Sequence, residues 1–329
     1  MTILKLKAAQ KDYLWGGRNL VEKFNKETDL DKLAETWEIS AHKDGVSLIE
    51  NGEHQGKLFT EYLKDMGNQV VGKNYNKDRF PILNKFIDAQ DNLSIQVHPN
   101  DEYGLSHEND YGKTEMWYVI DAKPGSYLYY GLNKEVSKEE FAQAIDDGSF
   151  LDLLNKVEVK KGDVFFIEAG TIHAIGSGIL IYEVQQNSNI TYRVYDYKRK
   201  DKDGNERELH VDKAIEVSNL SVNKTYNFKN DNEVNDNLQR LVKSNYFDVL
   251  KGQISDEIYN INEDSFQALT IIDGRGTIQM GEESLEFTKG DSFFLPAQNG
   301  QYRVEGNGEF ILSMLPWWLS KSKKKDAGE

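Results

Sequence analysis

Two stretches of this chain, 128 positions apart, repeat one pattern: KKGDVFFIEAGTIHAI from Lys160 and TKGDSFFLPAQNGQYRV from Thr288. Each opens on Lys-Gly-Asp, at 161–163 and at 289–291, and runs into two phenylalanines flanked by apolar residues. A turn follows, Glu168-Ala169-Gly170 against Pro296-Ala297-Gln298, and then a second strand-like run. A turn–strand–turn–strand unit that recurs within one chain predicts two β-barrels of the same type. The echo breaks at one informative place. His173 falls opposite Gln301, and no histidine follows His210. If His173 binds a ligand, the second barrel has no counterpart and serves as support or as part of a lid.

Short strand-like runs dominate the chain, at about 80–130, 158–197 and 248–316. The 329 residues allow two domains, and 17 Tyr, 15 Phe and 5 Trp suit pleated, half-buried surfaces. KLFTEYLKDMGNQVV (57–71) places Leu58, Leu63 and Met66 at helical intervals. Ser137 with Glu140 three positions on is a capping box, and Phe141, Ala144 and Ile145 continue at helical spacing. The segment near 137–157 therefore reads as a helical insertion into the first barrel. A third helical or mixed segment is expected around Leu238–Phe247. The polar, Asn-rich stretch 227–236 reads as a linker, dividing the chain into 1–226 and 227–329. The basic end SKSKKKDAGE reads as a solvated tail.

Composition excludes several classes. With no cysteine, disulfides, thiolate catalysis and cysteine zinc sites are out. A formal charge of −15 speaks against nucleic acid as the main partner, though a few local cations can still hold a small anion. No run reaches the length of a membrane span, and MTILKLKAAQKDYLWGG lacks an apolar signal core, so a cytoplasmic location is expected. Oligomeric state is not readable.

The chemistry gathers in QVHPNDEYGLSHENDYGKTEMWYVI. Gln96 and His98 are two apart and share one face of a strand; Ser94 lies on that face too. Glu115 belongs to a later strand and His173 to a third, and a barrel interior is where such side chains converge. Two imidazoles, a carboxylate and an amide oxygen suit a borderline divalent ion, zinc first, with Mn, Fe, Co or Ni as alternatives. The competing reading is a set of ordinary polar positions at strand ends. His107 reads as a solvated loop residue, and His42, His54 and His210 as structural.

LSIQVHPND, GKTEMWYV, AGTIHAIG and IYEVQQNSNITYRVYDY, in that order, resemble the type I mannose-6-phosphate isomerases, particularly the shorter bacterial form. WGG at 15–17 and ETWEIS at 35–40 are similar to that family's N-terminal segment. The resemblance implies two cupin-type jelly-roll barrels in a mainly β protein, and a zinc-dependent isomerase acting on a small sugar phosphate. It implies metal ligands at Gln96, His98, Glu115 and His173, with Gln96 the weaker or absent one in the shorter form. It also implies an active-site Lys113, Glu183 and Arg193. Glu168-Ala169-Gly170 departs from the Pro-x-Gly common in cupins before the last histidine.

Moving a proton between C1 and C2 of an open-chain sugar phosphate, through an enediol or enediolate, needs a base, an oxyanion partner and a proton route. Arg193, permanently charged, is a poor base but a good enediolate partner. Glu183, if desolvated, would have a raised pKa and serve as base; Lys113 and a metal-bound water are the alternatives. Ser94, Lys113, Lys198 and Arg199 are candidates for the phosphate. Two rivals stand beside this reading: another metal cupin such as an iron oxygenase, and a sugar-binding protein that has lost the reaction.

Overall fold

The computed structural model describes residues 2–200, 203–222, 233–235, 237–261, 263–297 and 300–316. Most of the expected linker, Gln298 of the echoed turn and the basic tail lie outside them.

The sequence echo is a structural one. Gly162 and Gly290 both take positive φ, +90° and +97°, the region where glycine carries no Cβ penalty. In the first copy, Lys160 N–H donates to the Asp163 carboxylate and Gly162 N–H to the Val119 carbonyl. In the second, Thr288 N–H donates to Asp291 and Gly290 N–H to the Ile271 carbonyl. Each turn then feeds a four-residue strand, Val164–Ile167 or Ser292–Leu295, at the same offset of 128.

Three sheets carry the fold. One has five strands, in spatial order Leu154–Glu158, Tyr127–Leu132, His173–Ile175, Ile95–Val97 and Tyr192–Tyr195. A second has six: Val164–Ile167, Glu115–Ala122, Ile179–Gln186, Ile82–Ala89, Glu35–Ile39 and Ala9–Lys11. These two face each other as the first barrel, around a core that includes Trp15, Ile87, Trp117, Phe165, Ile175 and Ile181. The third, ten-stranded sheet forms the second barrel, filled by Leu269, Ile271, Phe287, Phe293, Tyr302, Phe310 and their neighbours.

The six-stranded sheet is covered on both faces, and Ile82–Ala89 and Ile179–Gln186 are buried at every position. Alternation still sorts their side chains. Phe86, Tyr182 and Val184 pack outward against Phe266, Phe294 and Ile311 of the second barrel. Lys85, Ile87, Ile181 and Glu183 are left to face inward. A buried polar chain crosses between the barrels. Tyr182 Oη donates to Thr270 Oγ1 at 2.7 Å, Thr270 lies 2.9 Å from Ser292 Oγ, and Ser292 donates to Glu38 at 2.8 Å. Lys26 Nζ closes it, 2.7 Å from Glu38 Oε1.

The insertion is helical only to Leu153, because Leu154–Glu158, expected to be helical, pairs with Tyr127–Leu132 as a strand. Lys138–Asp147 is a helix with the Ser137–Glu140 capping box formed, a 3-10 turn Phe150–Leu153 follows, and both pack on the outer face of the five-stranded sheet. Phe59–Met66 is the other expected helix. Two further expectations change. Leu238–Lys243 is a strand, because its partner Asp248–Ile254 lies in register beside it, and the wide apolar spacing fits a half-buried strand as well as a helix. His107 ends a helix, Asp101–His107, capped by Asn100, and stacks on Tyr103. The barrels are also laced together at the N-terminal end. Leu4–Lys7 pairs with Ser292–Leu295 of the second barrel, whereas Ala9–Lys11 pairs with Glu35–Ile39 of the first.

Candidate metal centre

The inner faces of the two sheets of the first barrel supply the site from opposite sides. On the five-stranded sheet Gln96 is the register partner of both His173 and Arg193, so the three stand in one row. His98 follows directly. Its carbonyl accepts the Gly170 N–H at 2.8 Å, which ties the turn before His173 to His98. Gly170 sits at φ +88°, and a Cβ there would meet the Val217 carbonyl at 2.9 Å. The turn therefore requires glycine at this position. On the six-stranded sheet a second row reads Trp37, Lys85, Glu183, Trp117 across four adjacent strands. Glu115, two before Trp117, emerges on the same face.

His98, Glu115 and His173 bring ligand atoms to within 4.8 Å of one another, and all three are buried. Each ring has one nitrogen committed outward: His98 Nδ1 lies 2.7 Å from the Ile190 carbonyl and His173 Nδ1 2.8 Å from the Thr171 carbonyl. A carbonyl can only accept, so Nδ1 carries the proton and Nε2 presents its lone pair inward. His173 Nε2 is 3.3 Å from Glu115 Oε1, and His98 Nε2 is 3.6 Å from Glu115 Oε2. Burial holds both imidazoles neutral, with the Lys113 charge adding to the effect. His173 drops to about 4 and His98 falls well below the usual range. Burial and the nearby Glu183 carboxylate push Glu115 up to about 8. Neither Glu115 oxygen takes a hydrogen bond; its contact is an ion pair with Lys113 Nζ at 2.8 Å. Two neutral imidazoles and a buried, under-satisfied carboxylate form a donor set that fits a divalent cation, which would displace the carboxyl proton on binding. Gln96 joins its edge, with its amide nitrogen 3.5 Å from His173 Nε2.

Beside this centre opens a cleft of about 250 Å³, lined by Ser94, Gln96, Lys113, Glu183 and Arg193, with Tyr13, Trp15, Lys85, Glu35 and Arg207 among the rest. Lys113 bridges centre and cleft, its Nζ 3.1 Å from His98 Nε2. Glu183 does not have the raised pKa expected of a desolvated base. Burial does work to raise it, but the ammonium charges of Lys113 and Lys85 and the Trp117 N–H outweigh burial and hold it down at about 2. Arg193 Nη1 donates to the Glu208 carbonyl at 2.7 Å, while its Nε is buried and without a hydrogen bond.

Lys198 and Arg199 do not line the cleft. Arg199 is engaged with Asp196 and the Asn92 carbonyl, and Lys198 is exposed. Asp196 instead orients Arg207, which does reach the cleft. Of the residues missed in the sequence, Lys85 left a trace: a lysine inside ILNKFIDA is a charge in an otherwise buried strand. Arg207 left none. His42 is buried between Asp44 and Asp110, His54 lies against Glu53, and His210 accepts from Arg193 N–H, so none of them joins the centre.

Comparison with known proteins points the same way. The family model for the phosphomannose isomerase type I catalytic domain matches residues 3–127, and that for the mannose-6-phosphate isomerase cupin domain matches 237–315. Mannose-6-phosphate isomerase ManA of Bacillus subtilis is 39% identical over 95% of this chain and 98% of its own length. The mannose-6-phosphate isomerase of Streptococcus mutans is also 39% identical, over 94% and 97%. The crystal structure of the mannose 6-phosphate isomerase from Bacillus subtilis superimposes with a TM-score of 0.89 at 34% identity, covering 95% of this chain and 99% of that one. The apo form of the Salmonella typhimurium enzyme, at 16% identity and a TM-score of 0.78 over 96% and 100%, shares the fold.

Proposed function

The chain belongs to the type I phosphomannose isomerases, metal-dependent aldose–ketose isomerases, and from that premise we propose that it interconverts mannose 6-phosphate and fructose 6-phosphate with the residues of this cleft. The observation that carries the reading is the convergence of His98, Glu115 and His173 beside a cleft lined by Lys113, Glu183 and Arg193, with Lys113 and Gln96 joining the two. His98, Glu115 and His173, with Gln96 at the edge, would hold zinc, which when bound would supply Lewis-acid stabilisation of charge on the sugar oxygens.

Glu183 moves the proton between C2 and C1. It is ionised and able to accept throughout the working range, and Trp117 N–H on Oε1 fixes its direction, at 2.9 Å. The charges that keep it ionised also weaken it as a base. Lys113, drawn to Glu115 and His98, carries protons between the sugar oxygens. Arg193 supplies fixed positive charge to the enediolate, and its free Nε–H is available for that bond. Ser94 and Arg207, which line the cleft, hold the phosphate. The setting is cytoplasmic and the partner a small free sugar phosphate, not nucleic acid. No helix among the described residues is long and apolar enough to cross a membrane.

The test is fructose 6-phosphate formation from mannose 6-phosphate by the enzyme as purified, after chelation, and after zinc, manganese or cobalt is restored. Turnover that disappears with the chelator and returns best with zinc supports the reading. Bound zinc without turnover would sink it.

A further inference from the structure

The row Trp37–Lys85–Glu183–Trp117 contains a grip that the reaction as described does not use. Glu183 is held from two sides, by Trp117 Nε1 on Oε1 at 2.9 Å and by Lys85 Nζ, 3.4 Å from Oε2. Lys85 is itself held. Its ammonium lies 3.7 Å from Glu35 Oε2 and 4.7 Å from the centre of a Trp37 ring. Trp37 Nε1 then donates to Glu35 Oε2 at 2.7 Å, closing a small circuit of acid, indole and ammonium. All of these side chains are buried, and Glu35, Lys85 and Glu183 line the cleft.

A lysine between two carboxylates inside a barrel is a poor way to gain stability. The desolvation of such charges offsets most of their attraction, and well-packed apolar residues of the same volume serve as well or better. The second barrel fills the same kind of space with Leu269, Phe287, Phe293 and Phe310. What the circuit does supply is direction: it leaves Lys85 one place to stand, against Glu183.

We propose that Glu35 and Trp37 are positioning residues for the isomerisation, acting through Lys85 to fix the side chain of Glu183 under the sugar. The proposal rests on Glu183 being the group that moves the proton. Neither Glu35 nor Trp37 needs to touch substrate, so their loss is felt in turnover and hardly in binding.

The test is a double-mutant cycle on the zinc-loaded enzyme with mannose 6-phosphate. Glu35→Gln keeps the shape and removes the charge; it lowers kcat about 10-fold while KM stays within about 2-fold. Lys85→Met lowers kcat by about 10²-fold, and Glu35→Gln added to it costs nothing further, because the two act in series. Trp37→Phe, which keeps an aromatic ring and loses the N–H, gives a smaller fall, also absorbed by Lys85→Met. Zinc content and thermal midpoint accompany every variant. Wild-type kcat in Glu35→Gln overturns the proposal, as does a multiplicative effect in the double variant or a fall that tracks lost zinc or lost stability. Glu183→Gln separates the two levels. If it retains full kcat, the proton-transfer reading underneath fails; if it is crippled while Glu35→Gln is not, only the positioning role fails.

Discussion

The two barrels start from the same turn and the same Phe-Phe strand, yet their interiors differ. The first encloses Lys85, His98, Glu115, His173 and Glu183, all buried. The second is packed mainly with hydrocarbon and rings; Tyr302 Oη is satisfied by Gln267 at 2.7 Å, and its buried Asp248 is paired with Arg240 at 2.9 Å. Burying charge costs free energy unless it is paired, and here each carboxylate has an ammonium partner, Lys113 for Glu115 and Lys85 for Glu183, while Glu115 and one oxygen of Glu183 accept no directed hydrogen bond. The lesson is a division of labour within one fold. On the proposed reading the first barrel gives up core packing for chemistry, and the second, pressed against the back of the six-stranded sheet through Phe266, Phe294 and Ile311, restores it.

The sharpest way to break that contrast is to remove a ligand. His173→Ala or His98→Ala should abolish activity through loss of metal while the fold persists; full turnover in a metal-depleted His173→Ala protein would remove the centre from the reaction. Next in size, Arg193→Ala should lower kcat by about 10²–10³ with zinc still bound, as for a group directed at transition-state charge. An unchanged kcat takes Arg193 out of the mechanism.

The second barrel should answer in stability and not in chemistry. Phe293→Ala, at a fully buried position, should cost about 3–5 kcal/mol in denaturant unfolding and leave kcat of the folded fraction intact. If it fails to destabilise, the supporting role is wrong. Acid should discriminate too, because no histidine lies in the second barrel. His173 has its pKa depressed in the fold, so the unfolded chain binds the proton first. Stability is therefore full above about 6.5 and declines as pH falls towards 4, by about 3 kcal/mol from this one group. Unfolding of chelator-stripped protein at pH 7 and pH 4.5 measures it, and His173→Gln should flatten the slope. The smallest effect belongs to Gln301→His, which restores the missing residue of the echo. Position 301 is exposed, and its amide bonds Asn260 and no inward donors, so stability should move by less than about 0.5 kcal/mol. Zinc stoichiometry should stay unchanged; a second zinc per chain would mean that the barrels are more alike than their interiors suggest.

How far the sequence could be read depended on whether the information was local. The turn at 161–163 and its copy were legible because Gly with Asp encodes that geometry within three residues. The capping box at Ser137 was legible for the same reason. Gln96, His98, Glu115 and His173 could be named from ordered motifs, and alternation correctly put Gln96 on an inner face. Leu238–Lys243 was misjudged because a strand depends on its neighbour, and Asp248–Ile254 is not visible in the spacing of the strand itself. The Glu183 pKa was misjudged in direction for a similar reason. Burial can be inferred from ILIYEVQ, but the opposing charges come from Lys113 and Lys85 on other strands. Arg207 reaches the cleft only because Asp196 turns it there, a fact with no trace in composition or period.

The lacing of the barrels also sets the order in which the chain can be completed. Leu4 pairs with Phe294, and Leu6 with Ser292 and Ile49, so Leu4–Lys7 is synthesised long before its main partner. At synthesis rates of about 5–20 residues per second, that strand waits roughly 15–60 s with one side of its ladder open. Contacts this distant in sequence slow folding, since a long loop must close before they form. The two lysines of Leu4–Lys7, Lys5 and Lys7, alternate with its two leucines. Charge on an unpaired edge discourages other chains from adding to it, so these lysines guard the strand during synthesis before Lys5 pairs with Asp291 in the finished molecule.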